Sequence, residues 1–245
     1  MQLGKCKIVN KSIIILGGGT AGWMCANLLQ HALGKFGFNI TLIESPEIGI
    51  IGVGEGSTPH LRNFFSILGI SESQWMPKCN ATYKNGISFD GWSQQQGYDN
   101  YFHPFPSLPD RQTAGGFLIN CHLRRQGHQV DSHPNQYFLA AHLSKNNLSP
   151  KPKGHSPIRI NYGYHFDSAL LGSFLKDFAI KQGVTHVTAK IEHVEQHLSG
   201  DIAHLMSDQG ETFSANWFVD CSGFTSKLLQ QTLKSLQVTC LTMPQ

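Results

Sequence analysis

Gly17-Gly18-Gly19-Thr20-Ala21-Gly22 satisfies the spacing G-x-G-x-x-G near the start of the chain. The apolar run Ile13-Ile14-Ile15-Leu16 precedes it. Ala21–Leu33 follows, with Trp23, Ala26, Asn27, Leu28 and Gln30 at helical spacing. A short apolar run bounded by glycine predicts a strand buried on both faces of a parallel sheet. A second run, Ile40–Ile43, ends in Glu44, 22 residues after Gly22. The whole reads as a βαβ unit. In such a turn the first glycine permits the tight reversal, the second lets the backbone approach a pyrophosphate, and the third lets helix and strand pack closely. The helix start offers unpaired N–H groups and a positive dipole end to the phosphates. A carboxylate at the end of the second strand accepts a hydrogen bond from the adenosine ribose.

Composition narrows the remaining classes. Of the 245 residues 40% are hydrophobic and the net charge is +3, so the chain is not disordered and can bury a sizeable core. Only 14% are charged, well below the usual ~25%. Basic residues are scattered, and the densest cluster, Lys145–Lys153, reads as a solvated loop, so no nucleic-acid partner is expected. The six cysteines, at positions 6, 25, 79, 121, 221 and 240, form no C-x-x-C pair. That pattern suggests neither a zinc site nor a disulfide framework, and it suits a reducing compartment. The polar start and the brevity of Ile13–Leu16 argue against a signal or membrane segment, so a cytoplasmic location is expected.

Further along, Leu61, Phe64, Phe65 and Leu68 share a helical face, and Trp75–Lys84 is expected to form another short helix. From 94 to 160 the texture turns polar and weakly periodic, with recurrent aromatics at Tyr98, Tyr101, Phe102, Phe105 and Phe117. We read this as an inserted substrate-side segment with short elements. Phe166–Lys181 is an amphipathic helix with Asp167 and Ser168 available for capping. Val184–Val187, Ile191–Val194, Ile202–Met206 and Trp217–Val219 are short strand candidates.

Four other stretches carry possible chemistry. Ile51–Pro59 is a glycine-dense loop, either mobile surface or a backbone against which a ring system can lie. Lys84 sits in a region of low charge density, where a lysine is either solvated or a reactive amine. Tyr164-His165-Phe166-Asp167 reads as a helix cap with core aromatics, or as support beside a cofactor. Asp220-Cys221-Ser222-Gly223 follows a strand, where glycine suits close approach to a ligand at the sheet edge.

Taken together, GGGTAGW (Gly17–Trp23), LIES (Leu42–Ser45), IGVGEGSTP (Ile51–Pro59), LGI (Leu68–Ile70), WM (Trp75, Met76), NATYKNGISF (Asn80–Phe89), YHFD (Tyr164–Asp167) and DCSG (Asp220–Gly223) resemble the flavin-dependent tryptophan halogenases. The resemblance runs from about Ile13 to Leu229. It implies an α/β, Rossmann-like FAD-binding fold of the flavin monooxygenase and halogenase type, here as one domain over 1–245. It implies reduced FAD from a separate flavin reductase, a flavin hydroperoxide, and a halide co-substrate converted to hypohalous acid. The acid reaches an essential lysine, matched by Lys84, and an indole or other aromatic ring is then halogenated. Gly17, Gly19, Thr20, Ala21, Gly22 and Glu44 match the FAD fingerprint. Ile51, Gly52, Val53, Gly54 and Glu55 match the strap linking flavin and substrate sites. Ile191, Asp220 and Gly223 are further cofactor-side candidates.

The family's W-x-W-x-I-P motif has no counterpart here, and Ser235–Gln245 departs from the family pattern. The expectation is an N-terminal portion, its fold incomplete at the C-terminus. An FAD-dependent aromatic hydroxylase and an inactive dinucleotide-binding remnant stay open as alternatives. Hydroxylases need no lysine at the position of Lys84.

Overall fold

A computed structural model describes residues 11–48, 56–154 and 158–235. In chain order the elements are β1 (Lys11–Leu16), α1 (Thr20–Leu33), β2 (Phe38–Glu44), α2 (His60–Ile67), α3 (Glu72–Trp75), β3 (Thr82–Lys84), β4 (Gly86–Asp90) and β5 (Asn100–Pro104). There follow α4 (Asp110–Arg125), α5 (Leu139–Lys145), β6 (Gly163–His165), α6 (Ser168–Lys181), β7 (Thr185–Thr188), β8 (Ile191–Gln196), β9 (Ile202–Ser207), β10 (Thr212–Phe213) and β11 (Trp217–Asp220). Two compact units result: Met1–Val53 with Ser168–Gln245, and Gly54–Asp167.

The first unit is built on a parallel sheet in the order β11-β1-β2-β7. Ile13 pairs with Ile40 and Trp217, and Leu42 pairs with His186. Because side chains alternate along a strand, the continuous apolar run of β1 is wanted on both faces. Ile14, Leu16 and Ile43 pack with Ala189, Ile191, Leu205 and Leu228 on one side. On the other, α1 comes down on the sheet, with Gly22 against Leu42. Burying one such aliphatic side chain is worth about 1.5–3 kcal/mol. Asn27, buried on the α1 face, donates from Nδ2 to the carbonyls of Trp23 (2.8 Å) and Leu175 (2.9 Å), which joins α1 to α6. β8, β9 and β10 form a separate antiparallel sheet.

The second unit holds two antiparallel pairs, β3 with β6 and β4 with β5, together with α2 to α5. Two readings of its sequence are corrected here. Trp75–Lys84 is not one helix: α3 ends at Trp75, a 3₁₀ turn covers Met76–Cys79, and Asn80 turns left-handed (φ 49°) before β3 begins. Pro77 and the left-handed Asn80 break the helical ladder, and Thr82-Tyr83 favours an extended chain. The segment 94–160 contains a sixteen-residue helix, α4, as well as short elements. Only Asp110 of α4 is buried, while Leu118 and Ile119 are exposed, so no apolar stripe announces it. Among the described residues no helix is long and apolar enough to cross a membrane.

Candidate functional site

The glycine turn leaves the sheet at the carboxyl ends of β11, β1 and β2. Cys221 N donates to Leu16 O and Gly17 N to Ile43 O, both at 2.8 Å. Gly17 has φ +121°, and a Cβ there would lie 2.1 Å from the Cys221 carbonyl oxygen. A Cβ on Gly22 would lie 1.9 Å from the Gly17 carbonyl oxygen. Gly19 is different. Its φ of −69° is open to any residue, and a Cβ on it would meet nothing within 4 Å. The helical ladder starts with Trp23 N donating to Gly19 O at 3.1 Å. No side chain caps α1 and no acidic residue stands in its first turn. The N–H groups of Thr20, Ala21 and Gly22 therefore present a positive end beside open space.

Glu44 ends β2 beside this turn. Its Oε1 accepts from Lys176 Nζ at 2.6 Å and from His186 Nε2 at 2.8 Å. Oε2 faces the turn, 2.0 Å from where a Gly18 Cβ would stand, and has no donor among the described residues. One carboxylate oxygen is thus fixed by protein cations and the other remains able to accept from a hydroxyl.

In the second unit Lys84 closes β3 opposite Gly163, while Gly56 bridges to His165 on the other edge of β6. Ser57 locks that edge: its N donates to Tyr164 O at 2.8 Å and its hydroxyl accepts from Tyr164 N at 3.0 Å. The half-buried Lys84 ammonium lies 2.7 Å from the position of a Gly56 Cβ and 6.0 Å from the Phe105 ring centroid. Among the described residues no carboxylate pairs with it. Burial, and then the Lys84 charge, lower the pKa of His165 and favour its neutral imidazole. Lys84 and His165 open on a cavity of about 640 Å³ that Asn85, Phe102 and Leu148 also line.

A family model described as tryptophan halogenase matches residues 12–240. The chain belongs to the tryptophan halogenase family. It is 34% identical to the tryptophan 6-halogenase SttH of Streptomyces toxytricini, over 90% of this chain and 45% of that protein. It is 35% identical to the tryptophan 7-halogenase RebH of Lentzea aerocolonigenes, over 91% of this chain and 44% of that one. The crystal structure of SttH superposes with a TM-score of 0.77 over 94% of this chain and 48% of SttH, at 32% identity. A flavin-dependent halogenase from Xanthomonas campestris gives 0.76 at 37% identity, over 91% and 44%. The fold is therefore the α/β fold of the flavin-dependent halogenases, and the chain spans about half the length of the relatives it matches.

For this halogenase-family chain the other site candidates fall as follows. Ile51, Gly52, Val53, Gly54 and Glu55 lie outside the described residues. Ile191 is a core residue packed among Ile14, Leu205 and Leu228. Asp220 spends both carboxylate oxygens on the backbone. Oδ1 accepts from Ser222 N (3.1 Å) and the Ser222 hydroxyl, and Oδ2 accepts from Leu228 N and Leu229 N at 2.9 Å each. Burial alone would raise its pKa, but these donors outweigh it and hold the carboxyl below the usual range. It thereby fastens the π-helical turn Lys227–Thr232 to the end of β11. Gly223, at φ +66°, opens the 3₁₀ turn between them.

Sequence reading gave no role to Glu72, which the structure makes the hub of the second unit. Its Oε1 accepts from Tyr162 (2.6 Å) and Tyr164 (2.8 Å), and its Oε2 accepts from Tyr83 (3.0 Å) and Lys151 Nζ. Burial would push this carboxyl up, yet the Lys151 and tyrosine donors together hold it below its ordinary value. Tyr83 precedes Lys84, and Tyr164, wholly buried, precedes His165. The hub thus fixes both strands that carry the lysine niche. Lys176 and His186, the partners of Glu44, were equally invisible. They lie more than 130 residues from it, and no local pattern announces such pairing.

Proposed function

We propose that this chain carries the FAD-binding and lysine-bearing part of a flavin-dependent halogenase acting on tryptophan or another indole or aromatic ring. A separate flavin reductase supplies the reduced FAD, and halide is the co-substrate. The observation that carries the reading is the half-buried Lys84. It has no acidic partner among the described residues, it is fixed between Gly56 and Phe105, and it opens on a cavity large enough for a bicyclic aromatic.

The residues around the glycine turn suit the cofactor. Open space at Gly19 beside the uncapped start of α1 would take the pyrophosphate, with Thr20, Ala21 and Gly22 donating from the backbone. Glu44 Oε2 would accept from the adenosine ribose, while Lys176 and His186 keep the carboxylate ionised and oriented. Gly17 and Gly22 would shape the turn, and Gly223 would lie beside it after β11. Ile51–Glu55 would lead from this turn toward Gly56. Ile191 and Asp220 act from behind, as packing and as an anchor for the loop after β11. When bound in reduced form, FAD supplies the oxygen activation that turns halide into an electrophilic halogen.

Lys84 is the catalytic residue of this reading. Its Nζ holds hypohalous acid by donating a hydrogen bond, or, as the free amine, takes the halogen and releases water. In both cases the halogen is presented to an aromatic ring in the adjoining cavity. Phe102 and Leu148 line that cavity, so part of segment 94–160 lies on the substrate side. The neutral form of His165, favoured by burial, avoids a second positive charge beside the lysine.

The test is to give the purified chain FAD, a flavin reductase, NADH, bromide and a panel of indoles, and to follow product mass and flavin fluorescence. Lys84→Ala is expected to abolish brominated product while FAD quenching stays within about twofold. Parallel loss of both would make Lys84 structural. Bound FAD with no brominated product from any substrate would refute halogenation by this chain.

A further inference from the structure

Two cysteines of the first unit play no part in the reading above. Cys25 lies on α1, one turn beyond Gly22. Cys221 follows the last residue of β11, and its amide extends the ladder to Leu16 while its carbonyl packs on Gly17. Both are free and partly exposed. Their side chains touch: the two thiols are within hydrogen-bonding distance, Cys221 donating to the Cys25 sulfur. Helix and strand end are held in place independently, by packing of α1 on the sheet and by the backbone bonds at Leu16 and Gly17. Closing sulfurs already in contact to a bond of about 2.05 Å therefore asks for little backbone movement.

We propose that Cys25 and Cys221 form an oxidative modification site, a dithiol that hydrogen peroxide converts reversibly to a disulfide behind the glycine turn. The Cys25 thiolate attacks one peroxide oxygen, so an S–O bond forms and the O–O bond breaks. Hydroxide leaves and takes up the proton that Cys25 gave to solvent. The Cys221 sulfur then attacks the Cys25 sulfur, the S–S bond forms, and the S–O bond breaks. The released hydroxyl leaves as water with the Cys221 proton. Two thiols lose two electrons and two protons, and one peroxide becomes two waters. The roles follow from the contact: the hydrogen bond from Cys221 outweighs burial and brings Cys25 down to about 7, whereas Cys221 is raised. Cys79 is unsuited, because burial, followed by the Asp167 charge, raises its thiol to about 11 and it has no exposed surface.

The proposal does not depend on which dinucleotide the turn holds. It places a covalent tie between α1 and the strand end that backs Gly17, so oxidation would rigidify the turn without filling the open space at Gly19.

The purified chain is treated with equimolar hydrogen peroxide, alkylated, digested with trypsin without reductant and read by mass spectrometry. Cleavage gives Ser12–Lys35 and Ile191–Lys227, each with a single cysteine. The expected product is these two peptides joined and lighter by two hydrogens, separated again by dithiothreitol. Cys221→Ser is expected to lose the cross-link and leave a dimedone-reactive sulfenic acid on Cys25. Wild type alone decides the main point, whatever the variant's folding. Recovery of both peptides as alkylated thiols would overturn the proposal, and so would a cross-link joining either to Cys6 or Cys240.

Discussion

Replacing Gly19 by valine separates contact with a ligand from integrity of the fold, because the three fingerprint glycines differ so much in their surroundings. At Gly17 a Cβ adds a left-handed residue, costing about 1–2 kcal/mol, and a 2.1 Å approach to a carbonyl oxygen that only backbone movement relieves. Overpacking of that kind costs a further ~1–3 kcal/mol. Gly22→Ala meets backbone at 1.9 Å and carries the second cost. At roughly 2–4 °C per kcal/mol for a chain of this size, Gly17→Ala should lower Tm by about 5–15 °C. Gly19 already has φ −69° and nothing within 4 Å of a Cβ. Its poorer N-cap is offset by the lower entropy of the unfolded chain, each worth a few tenths to ~1 kcal/mol. Its Tm should therefore hold within about 2 °C. A pyrophosphate, however, would lose its approach to the backbone. Losing one charge-assisted hydrogen bond, ~1.5–3 kcal/mol, weakens binding on the order of 10- to 100-fold. Differential scanning fluorimetry and FAD fluorescence quenching measure the two quantities on the same samples. Unchanged FAD affinity in Gly19→Val refutes the placement of the pyrophosphate. A loss of affinity accompanied by a Tm drop like that of Gly17→Ala refutes the separation of roles.

The hub at Glu72 gives a graded series. Glu72→Ala strips the acceptor from Tyr83, Tyr162 and Tyr164, and at about 1–3 kcal/mol per buried unpaired hydroxyl the loss is on the order of 3–5 kcal/mol. Glu72→Gln keeps a carbonyl for two of them and should cost less than half as much by urea denaturation; equal costs would deny the carboxylate its role. Acid should weaken the fold as well. Glu72 and Asp220 are depressed in the folded protein, so their stabilisation is complete above the ordinary carboxylate values of 4.5 and 3.8. It fades as pH falls through the lower folded values. A Tm that stays flat on acidification below 4.5 would contradict this, and Glu72→Gln should flatten part of the slope. Lys176→Met should cut FAD affinity severalfold by freeing the Glu44 carboxylate to rotate, with little change in Tm, since exposed or half-exposed ion pairs contribute only ~0–1 kcal/mol. A Tm loss of many degrees without an FAD effect would make Lys176 structural.

What the sequence made legible was local. The strand–turn–helix–strand unit at Ile13–Glu44 could be read because strand burial, glycine spacing and the acidic end are each set within a few residues. The helices at 60–67 and 168–181 showed themselves by one apolar face, within a residue or two of their ends. Helix α4 did not, because burial of Asp110 alone leaves no stripe to recognise, and its anchor is polar. Asp110 accepts from Ser107 N at 2.6 Å and from Leu139 N at 2.9 Å, so the carboxylate, and not an apolar face, ties the helix to its neighbours. β3 was hidden for the opposite reason, since the helical start at Glu72–Trp75 is genuine and only Pro77 and the left-handed Asn80 stop it.

The chemistry divides along the same line. Lys84 could be picked out by its motif, but what makes it a candidate amine is non-local. β3 must pair with β6, 79 residues on from Lys84 to Gly163, before Gly56, Phe105 and His165 surround it. That pairing is held by three tyrosine hydroxyls meeting one carboxylate, and a tyrosine in the sequence reads simply as an aromatic core residue. Tyr164 is both: wholly buried, packed edge-on to Trp75 at 4.8 Å, and bonded to Glu72 through its hydroxyl. Its apolar part was legible as core and its polar tip was not, because a buried hydroxyl needs a partner and the sequence does not say which one the fold delivers. Lys84 therefore owes its position to residues whose importance appears only when the chain is closed, so substitutions at Tyr162 or Glu72 should disturb the lysine niche as surely as a change in β3 itself.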